Sequence, residues 1–229
     1  MTRPVTRDEL SGLPAEVAPR LLGALLETVV AGERVVIRLT EVEAYHGRGT
    51  GEVPDPGSHA RMGPTARNAT MWGEPGHLYV YLSHGIHSCV NVVCGPDGVA
   101  GGVLLRGAEV VDGVEIAERR RLERRGAVRS ARDLARGPGR LGDAVGLRHP
   151  VHDGLDAVTG AEKAGARARL LLADEPVVGV ATGPRVGVAG VAGTAVFPWR
   201  FWIEGDATVS AFRWGRGAAE AAAGEATVG

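Results

Sequence analysis

Apolar residues recur along this chain with two periods, and each period predicts a different element. In AEVAPRLLGALL (15–26) the spacing is helical, and Pro19 suits a first turn better than an interior, so a helix is predicted to begin near Ala18. The β-branched runs ETVV (27–30) and RVVIRLTEVEAY (34–45) flank Ala31-Gly32-Glu33 and predict a hairpin. Alternation along the second strand puts Val35, Ile37, Leu39, Glu41, Glu43 and Tyr45 on one face. An apolar face that ends in two carboxylates and a phenol marks a candidate site, because charges rarely enter a core face without a partner or a purpose.

From His46 to Gly63 the chain is rich in glycine and proline and predicts a surface loop, which carries Ser58-His59-Ala60-Arg61. TARNATMW (65–72) predicts a short helix. HLYVYLS (77–83) and SCVNVVC (88–94) predict strands joined through His84-Gly85-Ile86-His87, and a turn follows at Gly95-Pro96-Asp97-Gly98. GGVLLRGAEV (101–110) has the pattern of a buried strand; Asp112 can cap the arginine-rich helix after it, and Ser130 can cap ARDLAR. Gly137-Pro138-Gly139 breaks the chain before RLGDAVGL. After a loosely patterned stretch at 150–165, VVGVATGPRVGV (177–188) and WRFWIEG (199–205) are two more strand candidates.

Strands outnumber helices and are mostly joined by hairpins. The expectation is one α+β domain over residues 14–214, a largely antiparallel curved sheet with helices around it. The low-complexity segment 215–229 is expected to be a disordered tail.

Composition narrows the function classes. Hydrophobic residues make up 44% and charged residues 23%, which suits a globular protein and excludes disorder over the bulk. No apolar run approaches the roughly 18 residues of a membrane helix, and the N-terminus lacks a secretory signal, so a cytoplasmic protein is expected. Two cysteines, Cys89 and Cys94, give neither a disulfide framework nor a four-cysteine zinc site. The net charge of −1 argues against indiscriminate coating of nucleic acid. Nine arginines between Arg119 and Arg140 face only Glu123 and Asp133, which makes a local basic patch. A solvated helix face accounts for Arg119, Arg120 and Arg121; phosphate tracking stays open for the others.

Phosphate-loop and GxSxG patterns are absent, and His84 and His87 are flanked by strands rather than set on a helix, so neither a cofactor nor a metal is expected. What remains is a lone general base. The ordered segments EVEAY, SHARMGPTARN, PGHLYVYLSHGIHSCVNV and GVLLRGAE resemble the methylpurine DNA glycosylase family, also called the alkyladenine DNA glycosylases. ARGPGRLGDAVGL and PWRFWIEG extend the likeness, which runs from about Pro14 to Ile203.

The resemblance implies a monomeric, monofunctional DNA glycosylase of base excision repair, acting on double-stranded DNA that contains damaged purines and nucleoid-associated when bound to it. Such an enzyme flips out an alkylated purine, or hypoxanthine, and hydrolyses its N-glycosidic bond to leave an abasic site. Carried over residue by residue, it makes Glu43 the base that activates water and gives Arg106 the task of holding water and DNA backbone beside it. Tyr45, His59 and Tyr81 become pocket walls, and Asn91 a guard against guanine-type bases. Arg140 and Leu141 fall on the DNA-backbone surface. His84, with Ile86 and His87, stands where the family's best-known member inserts a tyrosine into the base stack, and an imidazole offers less stacking area. A lesion-binding module without catalysis, and a metal-dependent hydrolase built on His59, His84 and His87, are the competing readings.

Overall fold

In a computed structural model that describes residues 1–47, 54–125 and 127–226, the described residues form eleven strands and five helices. The strands are β1 (Thr2–Pro4), β2 (Leu25–Val30), β3 (Glu33–His46), β4 (His77–Ser83), β5 (His87–Val93), β6 (Gly101–Asp112), β7 (Ala135–Arg136), β8 (Leu155–Asp156), β9 (Ala166–Ala173), β10 (Val180–Gly183) and β11 (Arg200–Ile203). The helices are α1 (Arg7–Leu10), α2 (Pro14–Arg20), α3 (Val114–Arg125), α4 (Pro138–Val145) and α5 (Ala218–Ala226). One curled antiparallel sheet runs in the order β1-β9-β2-β3-β6-β5-β4-β8, with β7 beside β6 and the β10–β11 hairpin attached to β3 through β11. The fold is α+β, as the sequence pattern predicts. No helix among the described residues is long and apolar enough to cross a membrane.

The central hairpin forms where expected. Ala31 and Gly32 both take positive φ, 52° and 81°, the combination a type I′ turn requires between two twisted strands. Strict alternation along β3 fails, however. Its pairing with β6 shifts register between Leu39 and Glu41, which leaves Thr40 as an extra residue, and again between Glu41 and Val42, which leaves Arg106 extra on β6. The main core takes Val35, Ile37 and Leu39, then Val42 and Ala44. Glu41, Glu43 and Tyr45 therefore stand on the face opposite Val35, Ile37 and Leu39. The bulges turn the end of the strand over.

Helix α2 begins at Pro14 rather than near Ala18. Pro14 has no N–H to leave unpaired at the first helical position, Glu16 accepts from the Leu13 N–H at 3.1 Å, and Pro19 lies inside the helix. Strand β9, where Ala166, Ala168 and Leu170 point inward between exposed arginines, was not among the expected strands. Small alanines give the inward face a weak apolar signal. At the C-terminus, residues expected to be disordered form α5 over Ala218–Ala226: alanine is the best helix former, and Ala218 is fully buried where α5 packs on Gly190–Gly193. Residues 227–229 lie outside the described set.

Two of the three arginines expected on a solvated helix face are buried. Arg120 donates to the Ala144 carbonyl at 3.2 Å and Arg121 pairs with Asp143 at 3.3 Å, so they lock α3 to α4; Arg119 pairs with Glu33. Helix α4 in turn lies against β5, where a Cβ on Gly142 would stand 2.0 Å from the Ser88 carbonyl oxygen. Only glycine permits that approach.

Candidate active site

The turned-over end of β3 opens into a cavity of about 480 Å³, lined by Glu43, Tyr45, His59, Tyr81, Asn91 and Arg106 among others. Residues proposed from five separate segments thus meet at one place. Glu43 is fully buried on the cavity wall. Its Oε1 accepts from the Val186 N–H at 2.7 Å and its Oε2 from the Tyr45 hydroxyl at 2.9 Å, while Arg106 Nε stands 3.5 Å from Oε1. Burial, then the Glu43 charge, pushes the Tyr45 phenol well above its ordinary value, so it stays protonated and donates. Burial opposes the charge on Arg106, but Glu43 and Glu41 outweigh it and hold the guanidinium above its ordinary value.

Aromatic rings make the facing walls. Tyr79 and Tyr81 stack with centroids 5.5 Å apart, and the His59 ring meets Tyr81 edge-on at 4.6 Å. Burial, helped by Arg67 and Arg61, lowers the His59 pKa and favours a neutral imidazole. Asn91 is buried and donates to the Tyr79 carbonyl at 3.1 Å. Burial pushes the Cys89 thiol up to about 11, which leaves it a poor nucleophile.

His84 and Gly85 take positive φ, 50° and 68°, at the tip of the β4–β5 hairpin, and Ile86 beside them is 53% exposed. His84 lines both the cavity and an adjoining groove of about 600 Å³, whose walls include His87, Arg136, Arg140 and Arg213. Leu141 does not belong to that surface. It is fully buried in the main core, because one step along α4 turns the side chain about 100° from Arg140. Among the described residues no group of three or more His, Cys, Asp or Glu could hold a metal ion.

The pair that holds this site together, Arg185 and Asp55, is not marked by the residue pattern. Arg185, fully buried, makes two hydrogen bonds to Asp55, at 2.7 and 2.8 Å, and donates to the Ala44 and Ala192 carbonyls. Its guanidinium lies 4.5 Å from the Tyr45 ring centroid. Asp55 also accepts from the His46 and Gly57 N–H groups, so one ion pair ties the end of β3, the loop before His59 and the loop that carries Val186. The available signal was Arg185 itself, the only charge in VVGVATGPRVGV.

Residues 9–207 match the model of the methylpurine-DNA glycosylase (MPG) family. The chain belongs to that family. It is a DNA glycosylase, a hydrolase of N-glycosyl bonds in DNA. A relative from Leifsonia xyli subsp. xyli is 51% identical over 207 residues, 90% of this chain and 92% of that protein. One from Nocardia farcinica is 48% identical over 210 residues, 91% and 92% of the two chains, and one from Streptomyces avermitilis 44% over 210, 92% of each. All three bear the provisional name 3-methyladenine DNA glycosylase. The glycosylase sheet reaches beyond both the matched segment and the expected start at Pro14, since β1 pairs with β9 from Thr2 onward.

Proposed function

We propose that this enzyme flips an alkylated purine out of duplex DNA into the aromatic cavity and hydrolyses its N-glycosidic bond with a water activated by Glu43. The observation that carries the reading is the state of Glu43: a fully buried carboxylate at the cavity, oriented by two donors and flanked by Arg106. A carboxylate offers about four lone-pair positions, so these partners leave capacity for a water. In a low-dielectric site the same charge stabilises the oxocarbenium-like sugar cation as the base departs.

Extrusion costs roughly a few kcal/mol, and stacking on aromatic rings returns about 1–3 kcal/mol per base. Tyr45 and Tyr81 are assigned to hold the flipped base, His59 to close the pocket, and Asn91 to reject guanine-type bases. An alkylated purine carries its own positive charge and leaves readily; neutral hypoxanthine is the slower substrate. The names of the relatives support methylated adenine as the substrate class. His84 and Ile86, on the exposed hairpin tip, fill the gap in the stack, with His87 behind them. The groove walled by Arg140, Arg136 and Arg213 takes the DNA backbone. In this reading the enzyme acts as a monomer.

Strand cleavage through a Schiff base needs an amine at the sugar. The chain's single lysine, Lys163, is engaged with the Asp153 carbonyl and does not line the cavity. The product is therefore an abasic site. Glu43→Gln should retain binding to lesion-containing duplex and lose about 10²–10⁴-fold in single-turnover excision. Excision near the wild-type rate would remove Glu43 from the central role, and wild-type enzyme that binds lesions without releasing base would point to a recognition module instead.

A further inference from the structure

We propose that Glu41 is a positioning residue for excision: it draws Arg106 toward itself and off Glu43, so that the base keeps a lone-pair position for water. The proposal rests on the assignment of Glu43 as that base. Glu41 is fully buried and does not line the cavity, so it acts through another group.

Four donors converge on it. Its Oε1 accepts from Arg106 Nε at 3.0 Å, Arg200 Nε at 2.7 Å and Ser210 Oγ at 3.0 Å, and its Oε2 from the Ser210 N–H at 2.8 Å. The same Arg106 Nε stands 3.5 Å from Glu43 Oε1. Arg106 is thus shared between two carboxylates and is closer to the one outside the cavity. Without Glu41 its nearest anion is Glu43, and attraction between buried charges is several-fold stronger than in water. Glu43 would then spend its remaining lone-pair position on a direct hydrogen bond from Arg106.

The surroundings are shaped for this division. Arg106 is the extra residue of the bulge on β6, and a Cβ on the next residue, Gly107, would stand 3.0 Å from Glu41 Cβ and 3.0 Å from the Thr208 carbonyl oxygen. Arg200 also donates to the Ser210 carbonyl at 2.9 Å, which anchors the far side of Glu41. Glu41, Glu43, Arg106 and Arg200 together carry no net charge, so Glu41 stays matched by Arg200 while it shares Arg106.

The test is single-turnover excision of an alkylated purine from duplex DNA at increasing enzyme concentration. Glu41→Gln should lower the maximal rate roughly 10- to 100-fold, the scale of a small misplacement at the reacting groups. The enzyme concentration for half-maximal rate should change less than about threefold, as when an interaction is lost only in the transition state. In an Arg106→Gln background the same substitution should cost less than about threefold, because the group it controls is gone. Glu41→Gln leaves an unmatched buried positive charge; Glu41→Gln with Arg200→Gln removes one ion of each sign and should read the same loss if the single variant does not fold.

A maximal rate near wild type, or an equal loss with and without Arg106, would overturn the proposal, as would failure of both variants to fold. Glu43→Gln is measured alongside. If it stays active, the base assignment fails and takes this proposal with it; if it is inactive while Glu41→Gln turns over normally, only the proposal falls.

Discussion

The Val186 N–H donates to Glu43 Oε1 at 2.7 Å across 143 residues of chain. The carboxylate's orientation therefore depends on whatever fixes the loop that carries Val186, and that is the neighbouring Arg185, clamped by Asp55. Asp55→Ala would leave a buried guanidinium without its counter-ion. The expected cost is about 3–5 kcal/mol of stability, read from urea unfolding, with a loss of excision under conditions where the variant is still folded. Unfolding within about 1 kcal/mol of wild type would mean that the pair is not a clamp.

Acid should weaken the fold through two buried histidines. His46 is 4% exposed, neither ring nitrogen has a partner among the described residues, and it packs on Trp199 at 4.5 Å. His152 accepts from the Arg148 N–H through Nδ1 at 2.9 Å, which requires a neutral ring nitrogen there. Burial foremost holds both below the ordinary 6.5. The unfolded chain consequently binds more protons in the window below 6.5, and stability falls as pH drops through it. Urea midpoints between pH 7.5 and 5 check this, and His46→Leu should flatten the slope; a midpoint that does not move would contradict it.

Gly142→Ala ought to gain about 1 kcal/mol from helix propensity alone. Here the new Cβ would meet the Ser88 carbonyl oxygen at 2.0 Å, so α4 must lift from β5. A net destabilisation of about 1–3 kcal/mol is expected, and it would shift Arg140 at the groove. Thermal denaturation decides the sign.

For the hairpin tip, His84→Ala should slow excision from duplex DNA about 5- to 10-fold, the lower end of base–aromatic stacking energies of about 1–3 kcal/mol. A single-stranded substrate has no stack to hold open and should lose less. Equal losses on both substrates would reassign His84 to another task.

Much of this architecture is legible in residue patterns. The strands bearing Glu43, Tyr81, Asn91 and Arg106 follow from apolar runs punctuated by turn residues, and the order of motifs supplies the candidate residues. Local patterns fail where a distant contact decides. Thr40 and Arg106 are surplus residues only relative to each other's strands, so alternation along β3 cannot reveal the reversal at its end. Leu141 follows Arg140 in a motif but answers to the helical period, which buries it. Arg185 and Asp55 find each other across 130 residues, and neither stretch announces a partner. Alternation groups Glu41 with Glu43 but assigns it no task; its contacts with Arg106, Arg200 and Ser210 come from strands and loops far along the chain.

The extra residue at Thr40 also limits how this lineage can change. One strand serves as scaffold up to Leu39 and presents chemistry from Glu41, and the switch depends on a parity of one. Drawn into the regular ladder, that single residue would aim Val42 and Ala44 at the cavity and drive two carboxylates into the hydrocarbon interior. Substitutions can wear the site down gradually, whereas one further residue absorbed into the ladder between Leu39 and Glu41 would remove activity and foldability together.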